Sequence, residues 1–222
     1  LGWCYLRGEG VGQDYKQAIE WFQKSAEQGF ANAQNNLGNL YYDGEVIDED
    51  YEKAVKWYKK AAEQGHANAL YNLGWCYQYG QGEEQSYEQA IKCYEKAAER
   101  DHDAAQNQLG DLYYDGKGVG QDYKQAVKWY EQAAELDNTA AQYSLGWCYQ
   151  YRQGVEQDYE QAVKWYEKAA ERDNDAAQNQ LGNLYYKGEV VEQDYEQAVK
   201  WYEKAAERDN DAAQNQLGNL YY

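Results

Sequence analysis

The dipeptide Leu-Gly recurs at residues 1, 37, 73, 109, 145, 181 and 217, always 36 apart, with no insertion in any period. One stretch, QDYEQAVKWYEKAAERDNDAAQNQLGNLYY, is written twice, at 157–186 and 193–222, and looser copies fill the rest. A strict period of this length means that no unit buries its apolar face alone, so the units must stack and share one core of neighbour contacts. We therefore expect one array over residues 1–222, divided as 1–36, 37–72, 73–108, 109–144, 145–180 and 181–216, with a partial seventh unit at 217–222.

Within a unit the hydrophobic period is helical. Ala33, Leu37, Leu40 and Tyr41 fall on one face of a short helix A over 31–43, and Gly44 follows where a helix C-terminus tolerates positive φ. Asp50 then caps helix B, whose apolar stripe is Tyr51, Ala54, Val55, Tyr58, Ala61 and Ala62. The pairs Asp14/Gln17, Ser86/Gln89, Asp122/Gln125, Asp158/Gln161 and Asp194/Gln197 repeat the capping-box spacing. The glycine of each Leu-Gly pair leaves room for a neighbouring helix to approach. The expected class is all-α, built from helix-turn-helix hairpins.

The pattern A-x-x-x-L-G-x-x-Y-x-x-G followed by D-Y-x-x-A-x-x-W-Y-x-K-A-A resembles the Sel1-like repeat, a relative of the tetratricopeptide repeat, over essentially the whole chain. The resemblance implies a right-handed α/α superhelix that serves as an adaptor or scaffold for protein complexes. Three departures stand out: Arg152 replaces the glycine after helix A, Cys93 replaces the helix-B tryptophan, and Asp101, Asp137, Asp173 and Asp209 stand where helix B often ends in glycine.

Composition narrows the partner. Thirty-nine acidic against 21 basic residues give a formal charge of −18, which repels phosphate backbones and anionic lipid surfaces, so no nucleic-acid partner is expected. No apolar run approaches the ~20 residues needed to span a bilayer, so no membrane insertion is expected either. A polypeptide partner or a sugar fits better. His66 and His102 occupy equivalent loop positions one repeat apart and do not form a metal-ligand set; no metal, cofactor or catalytic constellation is expected. Cys4, Cys76 and Cys148 take the place of core leucines and act as small hydrophobes. Cys76 and Cys93 share one hairpin and should both point inward, which leaves a disulfide between them open.

The repeats differ where function should be written. Residues 145–180 and 181–216 agree at 29 of 36 positions, and the seven exceptions lie at the end of helix A and in the loop after it. At 100° per residue Asn35, Asn39, Tyr42 and Asp43 form one stripe of helix A, opposite Ala33, Leu37, Leu40 and Tyr41, and it is this stripe that changes most between units. In tetratricopeptide-like arrays the corresponding stripe lines the concave groove. Its candidate partner-binding residues are Asn35, Asn39 and Tyr42; Tyr71, Trp75, Gln78 and Tyr79; Asn107, Asp111 and Tyr114; Tyr143, Trp147, Gln150 and Tyr151; and Asn179, Asn183 and Tyr186. The occupants alternate between Trp with Gln and Asn or Asp with Tyr, so the chemical period is 72 residues.

The leading expectation is a non-enzymatic adaptor that binds an extended peptide or partner protein, with amides for the backbone and tryptophans for side chains. A carbohydrate-binding array ranks lower. The alternative is structural: Leu1 lies inside a repeat and the last helix A lacks its helix B, so either the array is a piece of a longer protein or copies stack end to end into fibres.

Overall fold

A computed structural model describes residues 1–188 and 193–220. Among these the chain is all-α. The helices are α1 (Gly2–Arg7), α2 (Tyr15–Glu27), α3 (Ala31–Asp43), α4 (Tyr51–Glu63), α5 (Ala67–Tyr79), α6 (Tyr87–Ala98), α7 (Asp103–Asp115), α8 (Tyr123–Glu135), α9 (Thr139–Tyr151), α10 (Tyr159–Glu171), α11 (Asp175–Lys187), α12 (Tyr195–Ala206) and α13 (Asp211–Leu220). Odd-numbered helices are A and even-numbered are B. They form two compact units: residues 1–106 with 117–119, and residues 107–116 with 120–222.

Each helix B begins as the sequence predicts. Asp14, Asp50, Ser86, Asp122, Asp158 and Asp194 accept the backbone N–H three residues on, at 2.9–3.3 Å. The N–H of each cap residue donates to a carbonyl nine residues back in helix A, as in Asp50 to Tyr41 and Asp158 to Tyr149. That bond fixes the loop length, which is why no period carries an insertion. Glutamines tie down the other turn: Gln34, Gln106, Gln142 and Gln178 are buried, and each donates to an alanine carbonyl eight residues back.

The core is built from alanines, leucines and one tyrosine per helix B. Ala54, Val55, Tyr58 and Ala61 are buried on α4, and Ala33 and Leu37 on α3, whereas Leu40 and Tyr41 are half-buried. Each buried tyrosine lies flat against the glycine of its own repeat's Leu-Gly pair. A Cβ on Gly74 would stand 2.6 Å from the Tyr94 ring, and one on Gly146 2.7 Å from the Tyr166 ring. In the first repeat Phe22 covers Gly2 in the same way.

The departures have physical explanations. Asp101, Asp137, Asp173 and Asp209 adopt φ of 54–66°, the left-handed conformation that glycine supplies at Gly29 and Gly65. Within the second unit, the carboxylates of Asp137 and Asp173 meet Arg172 and Arg208 of the following repeat at 2.7 and 3.5 Å. These exposed pairs contribute little. Arg152 takes the left-handed conformation too, with φ 59°, in place of a glycine. Cys93 replaces a tryptophan that in four other repeats lies under a lysine three residues on, as Trp57 does under Lys60 at 4.0 Å and Trp165 under Lys168 at 4.2 Å.

All four cysteines are free thiols, so the Cys76–Cys93 disulfide left open above is not formed. Both lie in one apolar cluster with Val55, Tyr58 and Leu73. Burial pushes the Cys76 thiol up to about 12 and the Cys93 thiol up to about 11, so neither is a thiolate at neutral pH.

His66 and His102 are helix caps. Their Nδ1 atoms accept the N–H of Ala69 and Ala105 at 3.2 Å, the role that Asn138, Asn174 and Asn210 play in later repeats. The Nε2 of His66 meets Asn32 Oδ1 at 2.7 Å, and the His102 ring stacks on Tyr71 at 4.8 Å.

Two predictions follow from this packing. Gly146→Ala should cost about 1–3 kcal/mol because the Tyr166 ring must move. Gly218→Ala, with nothing within 4 Å of the added carbon, should cost nothing in the same chemical denaturation measurement. Burial also lowers the proton affinity of both histidines. A folded-state pKa below the unfolded value means that this contribution is complete above pH ~6.5 and is lost as pH falls below it. The melting temperature should drop between about pH 7.5 and pH 5.5, and the drop should shrink in the His66→Asn/His102→Asn variant, where an amide caps at either pH.

Candidate functional site

The stripe residues follow from one requirement, the hydroxyl of the buried helix-B tyrosine. Tyr58 donates to Asn39 Oδ1 at 2.9 Å, Tyr130 to Asp111 Oδ1 at 2.8 Å and Tyr202 to Asn183 Oδ1 at 2.9 Å. In the other repeats the acceptor sits one turn later: Tyr94 donates to Gln78 Oε1 at 2.9 Å and Tyr166 to Gln150 Oε1 at 2.7 Å. The residue after Leu-Gly is then tryptophan, which has no acceptor to offer. Desolvation raises the pKa of every one of these tyrosines, so they remain donors. The first repeat completes the logic, because Phe22 has no hydroxyl and the residue at the glutamine position is Leu6.

The alternation therefore has a structural half and a free half. Gln78 and Gln150 are buried and hold the core tyrosines. Asn35 and Asn107 are buried as well. Asn72, which the helical-wheel reading passed over, donates through Nδ2 to Asn35 Oδ1 at 3.2 Å and to Asn39 Oδ1 at 3.0 Å. Asn107 donates to Asp111 Oδ2 at 3.2 Å. Asn179 and Asn183 are half-buried on α11. Much of the amide surface expected to meet a peptide backbone is thus engaged within the protein. The aromatic positions are the free half.

Those aromatics line two equivalent cavities, one in each unit. The first, about 340 Å³, lies between α3 and α5 and is lined by Asn39, Tyr42, Asp43, Tyr58, Tyr71, Asn72 and Trp75. The second, about 320 Å³, lies between α7 and α9 and is lined by Asp111, Tyr114, Tyr130, Tyr143, Ser144 and Trp147. Adding 72 to each of six residue numbers of the first gives the second. Tyr71 and Trp75 rings are 6.4 Å apart, as are those of Tyr143 and Trp147. The Tyr42 hydroxyl, which lines the first cavity with Trp75, donates to Gln81 Oε1 at 2.6 Å.

Tyr79 and Tyr151 lie outside the cavities and buttress them, with rings 4.4 and 4.2 Å from Trp75 and Trp147. Tyr186 is exposed beside Tyr195. On α13 the tyrosine and tryptophan positions hold Asn215 and Asn219, so the last copy of the stripe has no indole. Glu189, Val190 and Tyr222, which also vary between repeats, lie outside the described residues. Among the described residues no group of three or more His, Cys, Asp and Glu could hold a metal ion. Among the described residues no helix is long and apolar enough to cross a membrane.

The coupling of hydroxyl and acceptor gives a direct test. Gln78→Leu should destabilise the protein by about 1–3 kcal/mol, because it strands the Tyr94 hydroxyl in the core. Adding Tyr94→Phe, which recreates the Phe22/Leu6 arrangement, should recover most of that loss in denaturant titrations.

Comparison with known proteins identifies the repeat. The Sel1 repeat profile matches residues 1–30, 31–66, 67–102, 103–138, 139–174 and 175–210, a phase that starts each unit at helix A. No curated protein sequence matches the chain. Among solved structures, the protective antigen c5321 of uropathogenic Escherichia coli, described as displaying an SLR fold, is 37% identical with a TM-score of 0.91. The match covers 99% of this chain and 47% of that one. A Sel1 repeat protein from Oxalobacter formigenes is 36% identical with a TM-score of 0.89, covering 99% of this chain and 63% of its own. This chain thus spans between about half and two thirds of those relatives. Yeast Tom70, at 16% identity and a TM-score of 0.59 over 94% of this chain and 42% of its own, shares the fold alone. With six repeats matched across its length, the chain belongs to the Sel1 repeat family of α-solenoids.

Proposed function

We propose that the chain is a non-enzymatic scaffold that binds an extended segment of a partner protein along the helix-A stripe, with the two aromatic cavities as anchor points. Sel1 repeat proteins are generally protein-interaction scaffolds. The observation that carries the finer reading is the pair of equivalent cavities, each spanning consecutive A helices and each lined by residues that vary between otherwise copied repeats. Core positions repeat because packing demands it. Trp3, Trp75 and Trp147 recur in alternate repeats although the core tyrosine is satisfied by either acceptor arrangement, so packing alone does not call for them. Large aromatic anchors in concave sites carry much of the energy of protein recognition.

Selection of binders from a random peptide library displayed on phage tests this reading. Selected peptides should bind at least ~10-fold more weakly to the Trp75→Asn/Trp147→Asn variant, as expected when hot-spot side chains are removed. Asparagine already occupies the equivalent position at Asn39 and Asn183, so helicity and thermal melting should be retained. Peptides that bind the variant as tightly as the parent would place the binding surface elsewhere.

A further inference from the structure

Each cavity has the composition of a cation receptor. Three aromatic rings converge on the first, from Tyr42, Tyr71 and Trp75, with the Asp43 carboxylate at its margin. Tyr114, Tyr143 and Trp147 converge on the second, with Asp111. Ring faces carry negative quadrupole charge, and an aromatic box beside a carboxylate favours an organic cation over a neutral group. Neither set of lining residues includes a lysine or arginine.

Elsewhere the chain covers its own indoles with cations. Lys60, Lys168 and Lys204 lie over Trp57, Trp165 and Trp201 at 4.0, 4.2 and 4.4 Å. Most telling is Trp3, the counterpart of Trp75 in the first repeat, where the Arg7 guanidinium lies over the ring at 4.8 Å. In the two later copies the residue four positions on is Tyr79 or Tyr151, so the position that supplies the cation in the first repeat holds a neutral ring. Part of the amide lining is engaged within the protein, since Asn39 Oδ1 accepts from Tyr58 and Asn72, whereas the Asp43 and Asp111 carboxylates offer only lone pairs, which suit a cationic donor better than a sugar hydroxyl. Asp43 is exposed at the cavity, and partial desolvation with the neighbouring Glu45 charge raises its pKa, so a cation there would relieve like-charge repulsion.

We infer that the two cavities are aromatic cages for cationic side chains, and that the partner segment is basic, with arginine its preferred anchor. This deepens the scaffold reading and rests on it. The planar guanidinium can stack on an indole while donating to tyrosine hydroxyls and a carboxylate, which a lysine ammonium does less well. The net charge of −18 would draw such a segment in.

The test uses the whole chain and three fluorescein-labelled octapeptides, of arginine, of lysine and of citrulline, the last an uncharged isostere of arginine. Anisotropy should show arginine binding most tightly and citrulline at least ~10-fold more weakly, in line with a desolvated cation–π contact in a cage. Trp75→Asn/Trp147→Asn leaves net charge unchanged and should weaken arginine binding at least ~10-fold. Asp43→Lys/Asp111→Asn, which installs residues found at the equivalent positions Lys187 and Asn183, should weaken it as well.

Arginine binding that is indifferent to the two tryptophans would reduce the effect to diffuse charge attraction and overturn the cages. Citrulline binding as tight as arginine, or library-selected neutral peptides that bind through the tryptophans while octa-arginine does not, would overturn the cation inference alone and leave the groove. Lysine matching arginine would overturn the stated preference. Failure of both octapeptides and selected peptides to depend on the tryptophans would overturn both readings.

Discussion

The buried tyrosine of helix B is the contact on which the rest depends. Its ring occupies the space that the Leu-Gly glycine leaves open, which brings the two helices of each hairpin close together. Its hydroxyl must then find an acceptor inside the protein, since an unsatisfied group there would cost on the order of 1–3 kcal/mol. Two solutions exist on helix A, one residue or four residues after the glycine. The choice between them decides what the adjacent stripe can carry. Where asparagine or aspartate accepts, the next turn is free to hold tyrosine. Where glutamine accepts, the earlier position is free to hold tryptophan. The 72-residue chemical period arises from this choice, and the cavities form where the two solutions follow one another.

The fold was almost wholly legible in the sequence because each of its determinants is local and repeated. Helix A over 31–43 and the start of helix B at Tyr51 fall where periodicity and capping place them. The class, the period and the family follow from the same letters. Less legible was the division of labour within the stripe. A helical wheel puts Gln78 and Trp75 on one face, but it does not show that Gln78 is buried under Tyr94 while Trp75 borders a cavity. That information lies in tertiary contacts 16 and 19 residues apart in sequence. A signal was nevertheless present, because Leu6 stands at the acceptor position in the one repeat whose core aromatic is Phe22 rather than tyrosine. The histidines were likewise obscure as side chains but plain as positions, since they align with Asn138 and Asn174, which are familiar capping residues.

Local strain is tolerated where it does least harm. Arg152 and the aspartates at helix-B ends adopt a left-handed backbone at exposed turns, at a cost of roughly 1–2 kcal/mol each relative to a relaxed residue. The glycines under the core tyrosines admit no such substitution, because there the limit is volume rather than torsion. This contrast explains why the turn letters drift among repeats while every Leu-Gly survives.

Each hydroxyl finds its acceptor within its own repeat, whereas each aromatic cage draws on two consecutive repeats. Unequal exchange between near-identical copies can therefore add or remove a single repeat without stranding a core hydroxyl, and the shortened or lengthened chain remains foldable. The cages respond differently, because they depend on the order of unlike neighbours. Loss of one repeat sets two like repeats side by side, while loss of a pair leaves the succession unchanged. In such a lineage, foldability is inherited one repeat at a time and the valency of the surface two at a time.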